Sequence, residues 1–283
     1  MPRAATLPSA RFRPAVLAAL LLALAGCSAP AARAPTAPEP PGHRVAGYLP
    51  PDAVPDSLLL VPAPPQAGSA AAALDDTVNR EALALRGSAR WQQASRDAEL
   101  GFPAGAQQFS CALGIDIDPA QTPHLYQLLS RVRADAGAAT RTAKQRYQRP
   151  RPFMVNHQPT CTPDDEAGLR GNGSYPSGHT SIGWAWALVL SEIDPANADR
   201  LLARGRNYGE SRLVCNVHWQ SDVLQGRFMG AAAVARLHGS AEFRRDLEAA
   251  RSEIAAARAG GLKPSRDCAA EAAALQVRPA SAL

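Results

Sequence analysis

His218 and Asp222 stand four residues apart in Ser211-Arg212-Leu-Val-Cys-Asn-Val-His218-Trp-Gln-Ser-Asp222. That spacing puts both side chains on one helix face, within reach of each other. A carboxylate bonded to one ring nitrogen fixes the tautomer and leaves the other nitrogen free and more nucleophilic. Arg212 adds a planar fork suited to phosphate-like oxygens. A second segment, Gly173-Ser-Tyr-Pro-Ser177-Gly178-His179-Thr180-Ser181, reads as a broken loop followed by a helix capped by Ser177. The N–H groups at that helix start form an anion cradle, Gly178 permits close backbone approach, and His179 stands where an imidazole can pass a proton. A third segment, Lys144-Gln-Arg-Tyr-Gln-Arg-Pro-Arg151-Pro152, spaces two cations seven residues apart. Pro150 and Pro152 push Arg149 and Arg151 out of helical geometry, so Arg151 is held by a rigid turn. Each segment alone also has a plain structural explanation: a surface His–Asp pair, a helix cap, a solvated basic helix end.

The elements that must position these residues are helices. Ala, Leu, Arg and Gln dominate from Ser69 onward, all good helix formers. Helices are predicted over about 69–83, 87–98, 122–147, 178–193, 197–208, 217–237 and 240–259. No alternating strand pattern is present, so the fold class is all-α, a single helical domain. Tyr48 to Pro65, rich in proline around Leu58-Leu59-Leu60-Val61, reads as an extended segment laid over the helices rather than as a helix. Trp184 and Trp186 face roughly opposite sides of their helix, so at least one belongs to the core. The tail after Gly260 is expected to be loose unless Cys268 pins it.

The chain has 283 residues, 46% of them hydrophobic, enough for one sizeable core. The formal net charge of +5 allows an anionic substrate. No nucleic-acid motif accompanies the basic charge, so a nucleic-acid partner is excluded. The basic residues are almost all arginine, with Lys144 and Lys263 the only lysines. His43, His124, His157 and His238 have no partner at metal-ligand spacing, and no metal or other cofactor is assigned. Asp116-Ile-Asp118 resembles the start of a magnesium-dependent aspartyl-phosphatase motif, but Ala120 stands where that motif needs Thr or Val, and the segment reads as a loop.

Residues 1–26 read as an export signal, with Arg3, Arg11 and Arg13 ahead of an apolar run from Ala15 to Ala25. Leu24-Ala25-Gly26-Cys27 resembles a bacterial lipobox, with Cys27 as the lipidated residue and Ser28 pointing to the outer membrane. Residues 27–46 form an Ala/Pro-rich tether. The expected location is periplasmic, with the membrane a partner only through that lipid. After Cys27, four cysteines remain (Cys111, Cys161, Cys215 and Cys268), open to three complete disulfide pairings or to a reduced state.

Taken together, Lys-x6-Arg-Pro, Pro-Ser-Gly-His and Ser-Arg-x5-His-x3-Asp resemble the signature of the superfamily joining type 2 phosphatidic acid phosphatases, bacterial acid phosphatases and vanadium haloperoxidases. Gly47-Tyr48-Leu49, Asp56-Ser57, the Leu-Val-Pro-Ala-Pro-Pro stretch and His218-Trp-Gln-Ser-Asp-Val are similar to bacterial class A non-specific acid phosphatases, over about residues 47–260, with 261–283 as an added tail. The resemblance implies a metal-free phosphomonoesterase working through a phosphohistidine, of broad substrate range and with phosphotransferase activity as a variant. His218 would be the nucleophile, Asp222 its orienting carboxylate and His179 the proton donor. Lys144, Arg151, Ser177, Gly178 and Arg212 would hold the phosphate. Small-molecule phosphomonoesters would be the substrates, and family members often form homo-oligomers. Two histidines in these roles must differ in charge, which suggests a mildly acidic optimum. The alternatives are a vanadium-dependent haloperoxidase and a non-catalytic anion-binding lipoprotein. An integral-membrane lipid phosphatase is disfavoured because no long apolar span follows the signal.

Overall fold

Serine side chains start several of the helices that frame the site. The structure, a computed structural model, describes Met1 and residues 45–283, so the export signal, Cys27 and nearly all of the tether lie outside the described residues. Helices α1 (Ala70–Leu83) and α2 (Ala89–Arg96) begin at Ser69 and Ser88, whose side chains accept the Ala72 and Trp91 N–H groups. Then come α3 (Pro123–Ala138), α4 (Arg141–Tyr147), α5 (Gly178–Ile193), α6 (Ala198–Val214), α7 (Gln220–Leu237), α8 (Ala241–Ala259) and α9 (Cys268–Leu275). Among the described residues there is no strand, and no helix is long and apolar enough to cross a membrane. The chain is all-α, as its composition predicts.

Helix α5 is the hub. It packs against α6, α7 and α3, while α8 covers α3. Trp186 is fully buried in the core and its Nε1–H donates to the Leu129 carbonyl at 2.9 Å; Trp184 is only half-buried. The crossings are close because glycines remove side chains at the contacts. A Cβ on Gly183 would overlap the Tyr208 ring, and one on Gly226 would lie 2.6 Å from the Ser177 carbonyl oxygen. At such contacts one extra methyl forces a backbone shift.

Several predicted boundaries change. The helix expected over 122–147 breaks at Thr140, whose hydroxyl donates to the Gly137 carbonyl at 2.9 Å. This local bond competes with helix continuation and lets α4 take its own direction. The helix expected over 197–208 runs on to Val214, because its polar end is buried among charged partners rather than exposed. The helix expected from 217 starts only at Gln220, leaving His218 ahead of it. The 48–65 segment contains one helical turn, Ser57–Leu60, capped by Asp56 and anchored by buried Ser57, whose Oγ lies 2.8 Å from Thr142 Oγ1. Its leucines face outward, Leu59 being 84% exposed.

The N-terminal strap is held by charge. The Tyr48 and Leu49 N–H groups donate to the Asp135 carboxylate at 2.7 and 3.2 Å. A side chain at position 47 would occupy the space of that carboxylate, which explains glycine there. The tail is pinned, as Cys268 allowed. Cys268 is disulfide-bonded to Cys111, and Cys161 to Cys215, which selects one of the three pairings. Beyond α9, Arg278 donates two bonds to Glu210, both 2.6 Å, and Ser281 donates its N–H and Oγ–H to the Glu81 carboxylate, both at 2.7 Å.

Candidate active site

The α6–α7 connection carries His218. After α6 ends, Asn216 adopts a left-handed conformation (φ 62) stabilised by side-chain bonds to Asn156 and Asn79 and to the Gln158 carbonyl. The Val217 and His218 N–H groups then both return to the Arg212 carbonyl, each at 3.2 Å. His218 is therefore on a turn, not on a helix face as its spacing suggested. The pair it forms with Asp222 survives because Asp222 sits in the first turn of α7, accepting the Trp219 N–H at 2.8 Å and facing His218 Nδ1 at 3.2 Å. A carboxylate there requires Nδ1 to carry the proton, so Nε2 keeps its lone pair. Nε2 lies 3.1 Å from Arg151 Nη1, a donor.

Arg151 is extended, as its flanking prolines demand (φ −80, ψ 156). Its Nε donates to the Leu169 and Asn172 carbonyls, both 3.1 Å, and Nη1 to the Val217 carbonyl at 3.0 Å. Lys144, on α4, donates from Nζ to the Gly173 carbonyl at 2.6 Å. The peptide before Pro176 is cis, and Ser177 N–H donates to the Asp222 carbonyl at 2.9 Å, tying the α5 start to the α7 start. Ser177 caps α5 through Thr180 N–H, as predicted. His179 Nε2 lies 2.7 Å from the Ala98 carbonyl. A carbonyl only accepts, so Nε2 carries a proton and Nδ1 is the free nitrogen.

These elements enclose a cleft of about 460 Å³. Lys144, Arg151, Gly178, His179 and His218 line it. Ser177, Arg212 and Asp222 are buried behind the lining. Arg212 Nε and Nη1 find no hydrogen-bond partner among the described residues. Buried guanidinium donors without partners are rare, and an incoming anion would satisfy them.

The electrostatics follow from burial and crowded positive charge. Burial, then the Arg151 charge, push Lys144 down to about 7. Burial lowers Arg151 and Arg212 to about 10. Burial and then Arg151 push His218 well below its ordinary value, and burial and then Arg212 do the same to His179. Both histidines are therefore biased toward neutrality in the unliganded cleft, and hydrogen bonding alone separates them. Burial pushes Asp222 up, opposed by the Arg149 charge and the Trp219 N–H.

Two residues behind Asp222, Arg149 and Asp75, have no site role in the sequence reading. Arg149 bridges Asp222 and Asp75, both at 2.7 Å. Asp75, on α1, also accepts Ser221 N–H and Oγ–H, each at 2.7 Å. The Arg149 signal lay in the same Pro-flanked basic run as Arg151. Asp75 had none, since its partner Ser221 is 146 residues away.

Similarity to known proteins agrees with this geometry. The PAP2 superfamily model matches residues 126–246, which span all three segments. The chain is 44% identical over 209 residues to an acid phosphatase of Zymomonas mobilis, covering 74% of this chain and 79% of that one. It is 44% identical over 222 residues to a non-specific acid phosphatase of Providencia stuartii (76% and 90%) and 42% over 200 residues to one of Salmonella typhimurium (70% and 80%). With the cleft, its cations and its oriented histidine, these likenesses place the chain in the PAP2 superfamily, among the bacterial acid phosphatases.

Proposed function

We propose that this acid phosphatase hydrolyses phosphomonoesters through a phosphohistidine, without a metal ion. The observation that carries the reading is the orientation of His218: Nδ1 is held by buried Asp222, leaving the Nε2 lone pair in a cleft lined by Lys144 and Arg151. A bound monoester dianion would take over the Arg151 donor that now faces Nε2. Nε2 then attacks phosphorus in line, a P–N bond forms and the P–O bond to the alcohol breaks. Lys144, Arg151, Arg212 and the N–H groups at the α5 start hold the equatorial oxygens. Phosphoryl transfer asks mainly for such positioning and charge stabilisation.

His179 supplies the leaving oxygen with a proton. The unliganded cleft disfavours that proton, but a dianion placed beside the ring favours it again. Substrate binding thus sets the charge difference between the two histidines. In the second step neutral His179 takes a proton from water, which attacks phosphorus and releases His218. An alcohol in place of water gives phosphotransfer. The cleft volume of about 460 Å³ supports a broad substrate range. The two disulfides fit an oxidising compartment, in keeping with periplasmic export on a lipid anchor at Cys27.

The test is hydrolysis of an aryl phosphate at pH 5–7 in excess chelator, with rapid acid-avoiding quench to trap labelled enzyme. Turnover in chelator, with alkali-stable label that disappears in His218→Ala, is expected. Full turnover in His218→Ala would overturn the assignment of the nucleophile, and loss of turnover in chelator would overturn metal independence.

A further inference from the structure

Among the described residues, no acidic side chain lines the cleft. Its cations fall into two groups. Lys144 and Arg151 donate to main-chain carbonyls beside the nucleophile, and with Arg212 behind them they supply the charge that a phosphoryl dianion needs. Arg141 is surplus to that task. It also lines the cleft, but it is exposed and makes no hydrogen bond or ion pair with the described residues.

Its placement is regular. On α4, Arg141 stands three residues before Lys144 and four before Gln145, and all three line the cleft, as does Gln148 just past the helix end. Such steps keep side chains on one helix face. Arg141 stands three residues from Lys144, about 4.5 Å along the axis, toward the helix start. The cleft also carries an apolar part, Leu100 and buried Ile182. An alcohol held by its phosphate at Lys144 therefore meets an apolar wall and, one helical turn along α4, an unpaired guanidinium with an amide beside it.

We infer that Arg141, with Gln145, forms a subsite for a second anionic group on the alcohol part of the substrate. The substrate class is phosphomonoesters that carry a further carboxylate or phosphate several bonds from the reacting phosphorus. This rests on the phosphatase reading above and adds a preference within its broad range. Arg141 is a specificity residue and takes no part in the bond changes.

A matched pair of esters tests it: phenyl phosphate and 4-carboxyphenyl phosphate, compared in the wild type, Arg141→Gln and Arg141→Lys at low ionic strength. Taking the change within each ester cancels the different leaving-group reactivities. Arg141→Gln is expected to lower kcat/KM for the carboxylated ester about fivefold more than for phenyl phosphate, mostly through KM, the size expected of one exposed charge contact. Arg141→Lys should restore most of the difference, and added salt should shrink it. Equal effects of Arg141→Gln on both esters would overturn the subsite while leaving the phosphatase reading intact. Absence of wild-type turnover on both esters would overturn that reading and the subsite with it.

Discussion

At the scale of single residues, the cleft is tuned by removing water from cations. Lys144 shows the consequence best. An ordinary lysine holds its proton to about 10.4. Here burial and the neighbouring Arg151 bring it to about 7. The sign follows directly: below about pH 7 Lys144 is charged and attracts the substrate dianion, and above it the charge is lost. The free enzyme's kcat/KM should therefore fall above about pH 7. The fall in kcat should be weaker, because a bound dianion restores the Lys144 proton. Lys144→Arg keeps its charge at higher pH and should move the alkaline limb of kcat/KM upward, at lower absolute rate. A limb that stays in place in Lys144→Arg would assign it to His179 instead. The same scale shows what was legible in advance. Lys144, Arg151, Ser177, Gly178, His179, Arg212, His218 and Asp222 were all named from type and spacing, and the structure brings them to one cleft and the layer behind it. Asp75 was not, because a contact between α1 and the start of α7 leaves no trace in local pattern.

At the scale of elements, the site depends on how closely α5 and α7 approach. Gly226 on α7 faces the Ser177 carbonyl, and a Cβ there would also lie 2.9 Å from Thr180 Cβ. Backbone cannot yield as a flexible side chain can, so Gly226→Ala must push the helices apart. The Ser177 N–H to Asp222 carbonyl bond crosses that same contact. Gly226→Ala should cost about 1–3 kcal/mol of stability. It should also lower kcat more than an equally destabilising core change far from the site, such as Leu247→Ala on α8. Thermal melts beside kinetics at saturating substrate separate the two effects, and equal kcat in both variants would show that the crossing does not set Asp222. Helix existence was readable from composition and caps, whereas helix ends were not wherever tertiary contacts decide them. The break at Thr140 depends on one hydroxyl bond, and the extension of α6 to Val214 depends on burial of polar residues that read as surface. The start of α7 after His218 depends on Asp222 accepting two donors at once.

At the scale of the whole molecule, two disulfides divide stability from catalysis. Cys111–Cys268 spans 157 residues and ties the tail to the short helix Ser110–Leu113 that precedes α3, and neither cysteine lines the cleft. Cys161–Cys215 spans 54 residues and ends three positions before His218. On the chain-entropy account the first removes roughly 5 kcal/mol of unfolded-state freedom and the second roughly 4 kcal/mol. The thermodynamic effects are thus similar, but their places differ. Replacing both cysteines of the first pair by serine should lower Tm by roughly 10 °C or more. It should leave kcat and KM nearly unchanged below the transition, because the tail is held apart from the cleft through Glu210 and Glu81. Replacing the second pair should lower Tm comparably and also lower kcat. Cys161 N–H donates to the Cys215 carbonyl at 3.3 Å, and the next residue is Asn216, whose left-handed turn aims His218. Measuring kcat at 25 °C for both double variants, each confirmed folded by circular dichroism, decides the matter. An unchanged kcat in Cys161→Ser/Cys215→Ser would mean that the Asn216 side-chain network alone holds the nucleophile, and that the nearby disulfide serves stability only.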